Sequence, residues 1–80
     1  VNAPLLVAID VGTTKTITLI AQVSPDAGLE LLGLGSHPST GLRKGLVVDQ
    51  QRTIQSIRES VALAERTAGE KVHRALVGVT

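Results

Sequence analysis

The residues whose types and spacing best suit chemistry lie in one stretch, Asp10-Val-Gly-Thr-Thr-Lys15, directly after the apolar run Leu5-Leu-Val-Ala-Ile9. A tight turn at this place can aim successive backbone N–H groups at one anion, the concavity called a nest. Gly12 carries no side chain, so a phosphate can approach the backbone closely. Thr13 and Thr14 add hydroxyl donors and Lys15 a cation. Asp10 can hold a magnesium ion indirectly, because Mg²⁺ keeps most of its hydration and takes few carboxylates. The spacing is not that of a Walker A loop, which needs a Gly-rich run and a following helix. The same residues also suit a plain hairpin turn with β-prone threonines and an incidental lysine. No catalytic residue stands out.

The rest of the chain offers less. His37 and His73 are far apart in sequence, there is no cysteine, and no dense carboxylate cluster suggests a metal centre. His37 beside Pro38 suits a turn cap, Arg43 and Lys44 read as a solvated pair, and His73 reads as structural. The formal charge is only +1, with Lys and Arg scattered, and there are no aromatic platforms for base stacking, so nucleic acid is not an expected partner. No apolar run approaches a bilayer span, and no basic leader precedes one, so the chain reads as soluble and cytoplasmic. Its 42% hydrophobic and 19% charged residues are ordinary for a globular protein. The core has to be built from Leu, Val, Ile and Ala, since Phe, Tyr, Trp and Met are all absent. The chain does not start with Met and ends on strand-like Ala75-Leu-Val-Gly-Val-Thr80, which suggests a piece of a longer protein.

Periodicity supplies the elements that must position the 10–15 turn. The continuous run at 5–9 predicts a strand buried on both faces. Ile17, Leu19, Ala21 and Val23 then alternate with mostly polar neighbours, predicting a second strand and hence a hairpin. Ser24-Pro-Asp-Ala-Gly28 is turn chemistry, and a third strand returns over 29–35. Residues 36–45 are rich in turn formers and predict a structured loop, with a short strand over 45–48. Asp49 is a helix N-cap candidate, and Ile54, Ile57, Val61, Ala64 and Ala68 form one apolar stripe that predicts a helix stopped by Gly69. By area, Ile54, Ile57 and Val61 should contribute most, about 1.5 to 3 kcal/mol each when buried. Arg52, Arg58, Glu59, Glu65 and Arg66 read as the wet face. Residues 76–79 predict another buried strand, placed parallel to the first by the helical crossover. The fold class is therefore α/β, a mixed sheet with the order strand-strand-strand-helix-strand.

Leu6-Val-Ala-Ile-Asp10-Val-Gly-Thr-Thr14 resembles the first phosphate motif of the superfamily that contains actin, the heat-shock chaperones and the sugar kinases. Within it, Gly35-Ser-His-Pro-Ser-Thr-Gly-Leu-Arg-Lys-Gly45, followed by Val47-Val-Asp49 and an amphipathic helix, is similar to the FtsA family of bacterial cell-division proteins. The resemblance covers essentially the whole chain. It implies a partial RNase H-like, actin-like fold, with residues 1–80 as the amino-terminal part of the first subdomain. It also implies ATP and Mg as ligands of the complete protein, bound between two lobes, with weak ATPase activity. Gly12, Thr13, Thr14 and Lys15 match the phosphate loop, and Asp10 the water-mediated metal position. Proteins of the family polymerise, recruit the tubulin-like FtsZ, and attach through a terminal amphipathic helix to the inner face of the membrane at the division site. The second phosphate loop, the adenosine motif and the membrane helix have no counterpart in these residues, so the piece alone is expected to be inactive. Two alternatives remain. A sugar-kinase-type phosphotransferase shares the Asp-x-Gly-Thr-Thr form but not the 36–45 loop, and actin-like pilus-assembly interaction proteins also resemble this family. A strand that is apolar on both faces, with one helix to cover it, leads to the further expectation that the piece self-associates.

Overall fold

The computed structural model describes residues 4–26, 28–44 and 46–79. Ala27, in the expected first turn, and Gly45, in the expected loop, lie outside the described residues. Strands β1 (Leu5–Val11) and β2 (Lys15–Ser24) form an antiparallel hairpin, and β3 (Gly28–Pro38) pairs antiparallel with β2. Two short strands, β4 (Leu42–Arg43) and β5 (Leu46–Val47), pair antiparallel as a separate two-stranded sheet. Helix α1 (Gln50–Ala68) follows, and β6 (Leu76–Val79) returns parallel to β1. The main sheet has the order β3-β2-β1-β6, with α1 packed across β3 and β2.

Local chemistry fixes the helix ends. The Asp49 carboxylate accepts the Arg52 N–H at 3.1 Å, satisfying one of the free donors of the first turn. At the other end Gly69 adopts φ 71° and donates its N–H to the Glu65 carbonyl at 2.8 Å, the left-handed stop that glycine makes at little cost. Glu65 is more than a solvated side chain: its carboxylate accepts the Val72 N–H at 2.8 Å and ties down the chain leaving the helix.

The helix does not bury the expected face. Its buried residues are Thr53, Ser56, Ser60 and Ala64, whereas Ile54 is 41% exposed and Ile57 and Val61 are half-buried. The cause lies on β3. Gly33 and Gly35 face α1 so closely that a Cβ on either would collide with the backbone carbonyls of Ala64 and Ser60. Only small side chains fit such an approach. The larger aliphatic residues turn to the flanks, and the area argument for Ile54, Ile57 and Val61 fails here.

The sheet shows the same inversion. On β2 it is Thr16, Thr18 and Ile20 that face α1 and are fully buried, while Leu19 and Val23 are exposed. Burying threonines is tolerable because their hydroxyls are paired: Thr18 Oγ1 with Ser60 Oγ at 2.8 Å, and Thr16 Oγ1 with Ser39 Oγ at 2.7 Å. On β1, Val7, Ile9 and Val11 are buried, but Leu6 is 42% exposed, so this strand is covered on one face only. A β-bulge opposite Ile20 and Ala21 inserts Leu32 and turns it onto the small core of Val7, Ile20 and Ala64. The opposite face, formed by Leu6, Ala8, Leu19, Ala21, Leu29 and Leu31, is an open apolar concavity of about 280 Å³. Strand β6 is exposed as well, with Leu76 at 70%, contrary to the buried strand expected.

Candidate functional site

β1 finishes at Val11, which is buried and flanked by Thr16 on β2 and Val79 on β6. The parallel strands β1 and β6 therefore end side by side, and the 12–15 turn projects past their carboxyl ends. Gly12 is half-buried at the base of this turn, and Thr13, Thr14 and Lys15 are exposed. The Gly12 N–H donates to the Lys15 carbonyl at 2.9 Å. That donor is engaged inside the turn, so Gly12 can serve an approaching anion only by its lack of a side chain. Nor is Gly12 among the described glycines with positive φ, which are Gly28, Gly41 and Gly69. Donors toward a ligand have to come from the exposed Thr13, Thr14 and Lys15.

Strand alternation sends Asp10 and Lys15 to the sheet face opposite α1, since their neighbours Ile9, Val11 and Thr16 are buried against the helix side. Asp10 is exposed and sits between Ile17 of β2 and Gly78 of β6. Gly78 leaves open space there, for a Cβ on it would meet nothing within 4 Å. A carboxylate beside such a gap fits a hydrated cation held through water. The structure thus gathers Asp10, Gly12, Thr13, Thr14 and Lys15 at one end of the sheet, with cation and carboxylate on a common face.

Residues 36–45 are expected from the sequence to be a structured loop. Instead Ser36, His37 and Pro38 extend β3 and pair with Ile17, Thr16 and Lys15. The turn is braced from this side: the Ser39 N–H donates to the Thr14 carbonyl at 2.9 Å. Thr40 then crosses to the helix, its N–H donating to Ser56 Oγ at 3.1 Å. Gly41, at φ 91°, accepts both the Val48 and Asp49 N–H groups and closes the base of the β4–β5 hairpin. Of these bracing residues the sequence marks only Asp49 by local chemistry, as the helix N-cap; for the others the available signal is the set of hydroxyl residues Ser39, Thr40, Thr53, Ser56 and Ser60.

Other candidates remain apart from this cluster. His37 Nδ1 lies 3.0 Å from the neighbouring Pro38 carbonyl, and because both residues belong to β3 this is a contact between strand neighbours rather than the expected turn cap. Arg43, Lys44 and His73 are exposed. The ion pair of Arg52 with Asp49, at 3.5 Å, is solvent-exposed and contributes little to stability. Among the described residues no group of three or more His, Cys, Asp or Glu side chains is placed to hold a metal, and no helix is long and apolar enough to cross a membrane.

Comparison with known proteins gives a consistent picture along the whole chain. It is 43% identical over 78 residues to cell division protein FtsA of Pseudomonas aeruginosa, covering 98% of this chain and 19% of that protein. It is 40% identical over 78 residues to cell division protein FtsA of Bacillus subtilis, covering 98% and 18%. The chain thus spans less than a fifth of the length of these relatives. Among solved structures, a glycerol dehydratase reactivase matches with a TM-score of 0.71 over 94% of this chain and 12% of its own, at 20% identity. That likeness shows the fold, a partial actin-like α/β fold with a mixed sheet and one helix. No protein-family model matches the chain.

Proposed function

Because this chain belongs to the FtsA family of cell-division proteins, matching them over nearly its whole length while spanning under a fifth of theirs, we propose that it is the segment carrying the first phosphate loop of an actin-like, ATP-binding cell-division protein. The observation that most supports this reading is the position of the 12–15 turn past the paired carboxyl ends of β1 and β6. Open α/β sheets take their ligands at that edge. In this reading Thr13 and Thr14 donate hydroxyl hydrogen bonds to the nucleotide phosphates, and Lys15 offsets their charge. Gly12 lets the phosphates come near the backbone, and Asp10 orients the water shell of the magnesium ion that accompanies ATP.

No catalytic role falls to these residues. The remaining length of the protein supplies the second lobe, the adenosine site and any group that activates water for hydrolysis. The same assignment carries self-polymerisation, recruitment of FtsZ, and attachment to the inner face of the membrane at the division site through another segment.

The test is a calorimetric titration of ATP into the full-length protein, with and without magnesium, for the wild type and Asp10→Ala. Expected are magnesium-dependent binding by the wild type and a loss of roughly tenfold in Asp10→Ala that appears only with magnesium present, equivalent to about 1.4 kcal/mol. A wild type that ignores ATP ends the reading, and an Asp10→Ala variant that keeps full magnesium-dependent affinity removes Asp10 from the metal position.

A further inference from the structure

Resting on the phosphate-loop reading, we propose that Ser39 is a positioning residue for the nucleotide phosphates, one that sets the shape of the 12–15 turn without touching the nucleotide. Ser39 meets the turn twice. Its N–H donates to the Thr14 carbonyl at 2.9 Å, and its hydroxyl lies 2.7 Å from the hydroxyl of Thr16, just beyond the turn on β2. Thr16 is fully buried, so its hydroxyl is a fixed point rather than a mobile surface group. The peptide plane after Thr14 is thereby held in one orientation, and with it the directions of the Thr14 and Lys15 groups that would face phosphate.

The brace itself is anchored. Ser56 on α1 accepts the Thr40 N–H at 3.1 Å, and its one hydroxyl proton lies between the Pro38 carbonyl at 3.1 Å and the Arg52 carbonyl at 3.2 Å, so both residues flanking Ser39 are in contact with the helix. Gly41 follows at φ 91°, with no room for a Cβ beside the Asp49 carbonyl and with Thr53 Oγ1 at 2.7 Å from that position. The 38–41 strap is therefore determined along its length, and Ser39 is the residue that passes this rigidity to the turn. Phosphate binding gains from such preorganisation, because a turn already shaped for its ligand loses less freedom on association.

The experiment compares ATP and adenosine affinities of the full-length protein for the wild type, Ser39→Ala, Ser39→Thr, Thr16→Val and Gly12→Val. Ser39→Ala removes the hydroxyl contact, and the expected result is an ATP affinity lowered roughly three- to tenfold, the range of one hydrogen bond, with adenosine affinity unchanged. Ser39→Thr restores the hydroxyl and should recover the ATP affinity. Thr16→Val removes the partner hydroxyl at nearly constant volume and should show the same phosphate-selective loss, which keeps the test open if Ser39→Ala folds poorly. A purely structural Ser39 lowers the unfolding temperature and leaves the ratio of ATP to adenosine affinity unchanged; that result overturns the inference. If Gly12→Val weakens ATP binding while Ser39→Ala and Thr16→Val do not, only the positioning role falls. If Gly12→Val is also without effect, the phosphate-loop reading falls with it.

Discussion

The hydroxyls of Thr18 on β2 and Ser60 on α1 meet at 2.8 Å between two fully buried residues, in the middle of the sheet–helix interface. Ser60 also donates to the Ile57 carbonyl at 3.0 Å. Its single proton is then engaged, and Thr18 is the donor of the pair. The two substitutions that break this contact are consequently unequal. Ser60→Ala leaves the buried Thr18 O–H without that acceptor and should cost about 1 to 3 kcal/mol. Thr18→Val leaves Ser60 bonded to Ile57 and should cost less than about 1 kcal/mol. Denaturant unfolding of the two variants checks the order, and a costlier Thr18→Val contradicts it.

The close approach of α1 to β3 gives a second expectation. A methyl group on Gly35 would meet the Ser60 carbonyl and lie 2.7 Å from the Ala64 N, and neither backbone atom can swing aside as a side-chain end can. Gly35→Ala must push the helix away from the sheet, at a cost of about 3 kcal/mol or more. Gly33→Ala should behave alike, because its Cβ would meet the Ala64 carbonyl and lie 2.8 Å from Ala68 Cβ. Gly78→Ala, with nothing within 4 Å, should change stability by less than about 0.5 kcal/mol. Equal unfolding midpoints for Gly35→Ala and Gly78→Ala would show that the interface is looser than described.

These contacts mark where the sequence was legible and where it was not. The hairpin and the helix with its Asp49 and Gly69 caps follow from periodicity and cap chemistry, which act locally, and the parallel return of β6 follows from the crossover rule. The inward faces of β2 and α1 do not. An apolar stripe goes inside when the partner surface can receive large side chains, and here Gly33 and Gly35 bring the backbones too close for that. Thr16, Thr18, Ser56 and Ser60 then become interior residues whose hydroxyls find partners distant in sequence: Thr18 pairs with Ser60, Thr16 with Ser39, and Ser56 with Thr40. A glycine pair at i and i+2 of a strand, with Ser56, Ser60 and Ala64 at helical spacing, was the pattern that could have revealed it. For the site, the Asp10 to Lys15 stretch was readable from residue types, but the bracing of Thr14 by Ser39 joins positions whose proximity exists only in the fold.

The apolar face opposite α1 predicts the behaviour of the 80-residue chain by itself. Leu6, Leu19, Leu29 and Leu31 stand exposed together on one side of the sheet and line one open apolar concavity, the kind of grouped apolar surface that marks an association site. The isolated chain should associate with further copies through this face, and the double variant Leu19→Lys, Leu31→Glu should reduce the association. Sedimentation at several concentrations is the measurement. A monodisperse, folded wild-type monomer at high concentration contradicts the expectation.

The phosphate-loop assignment is tested most directly by Gly12→Val in the full-length protein. Gly12 sits half-buried at the base of the turn, where a branched side chain would occupy the space left for an approaching phosphate. The measurement is an ATP titration in magnesium for wild type and variant, with folding verified by circular dichroism. The account predicts a folded variant whose ATP affinity falls by roughly a hundredfold or more, corresponding to about 2.7 kcal/mol. A folded variant that binds ATP as tightly as the wild type would contradict it.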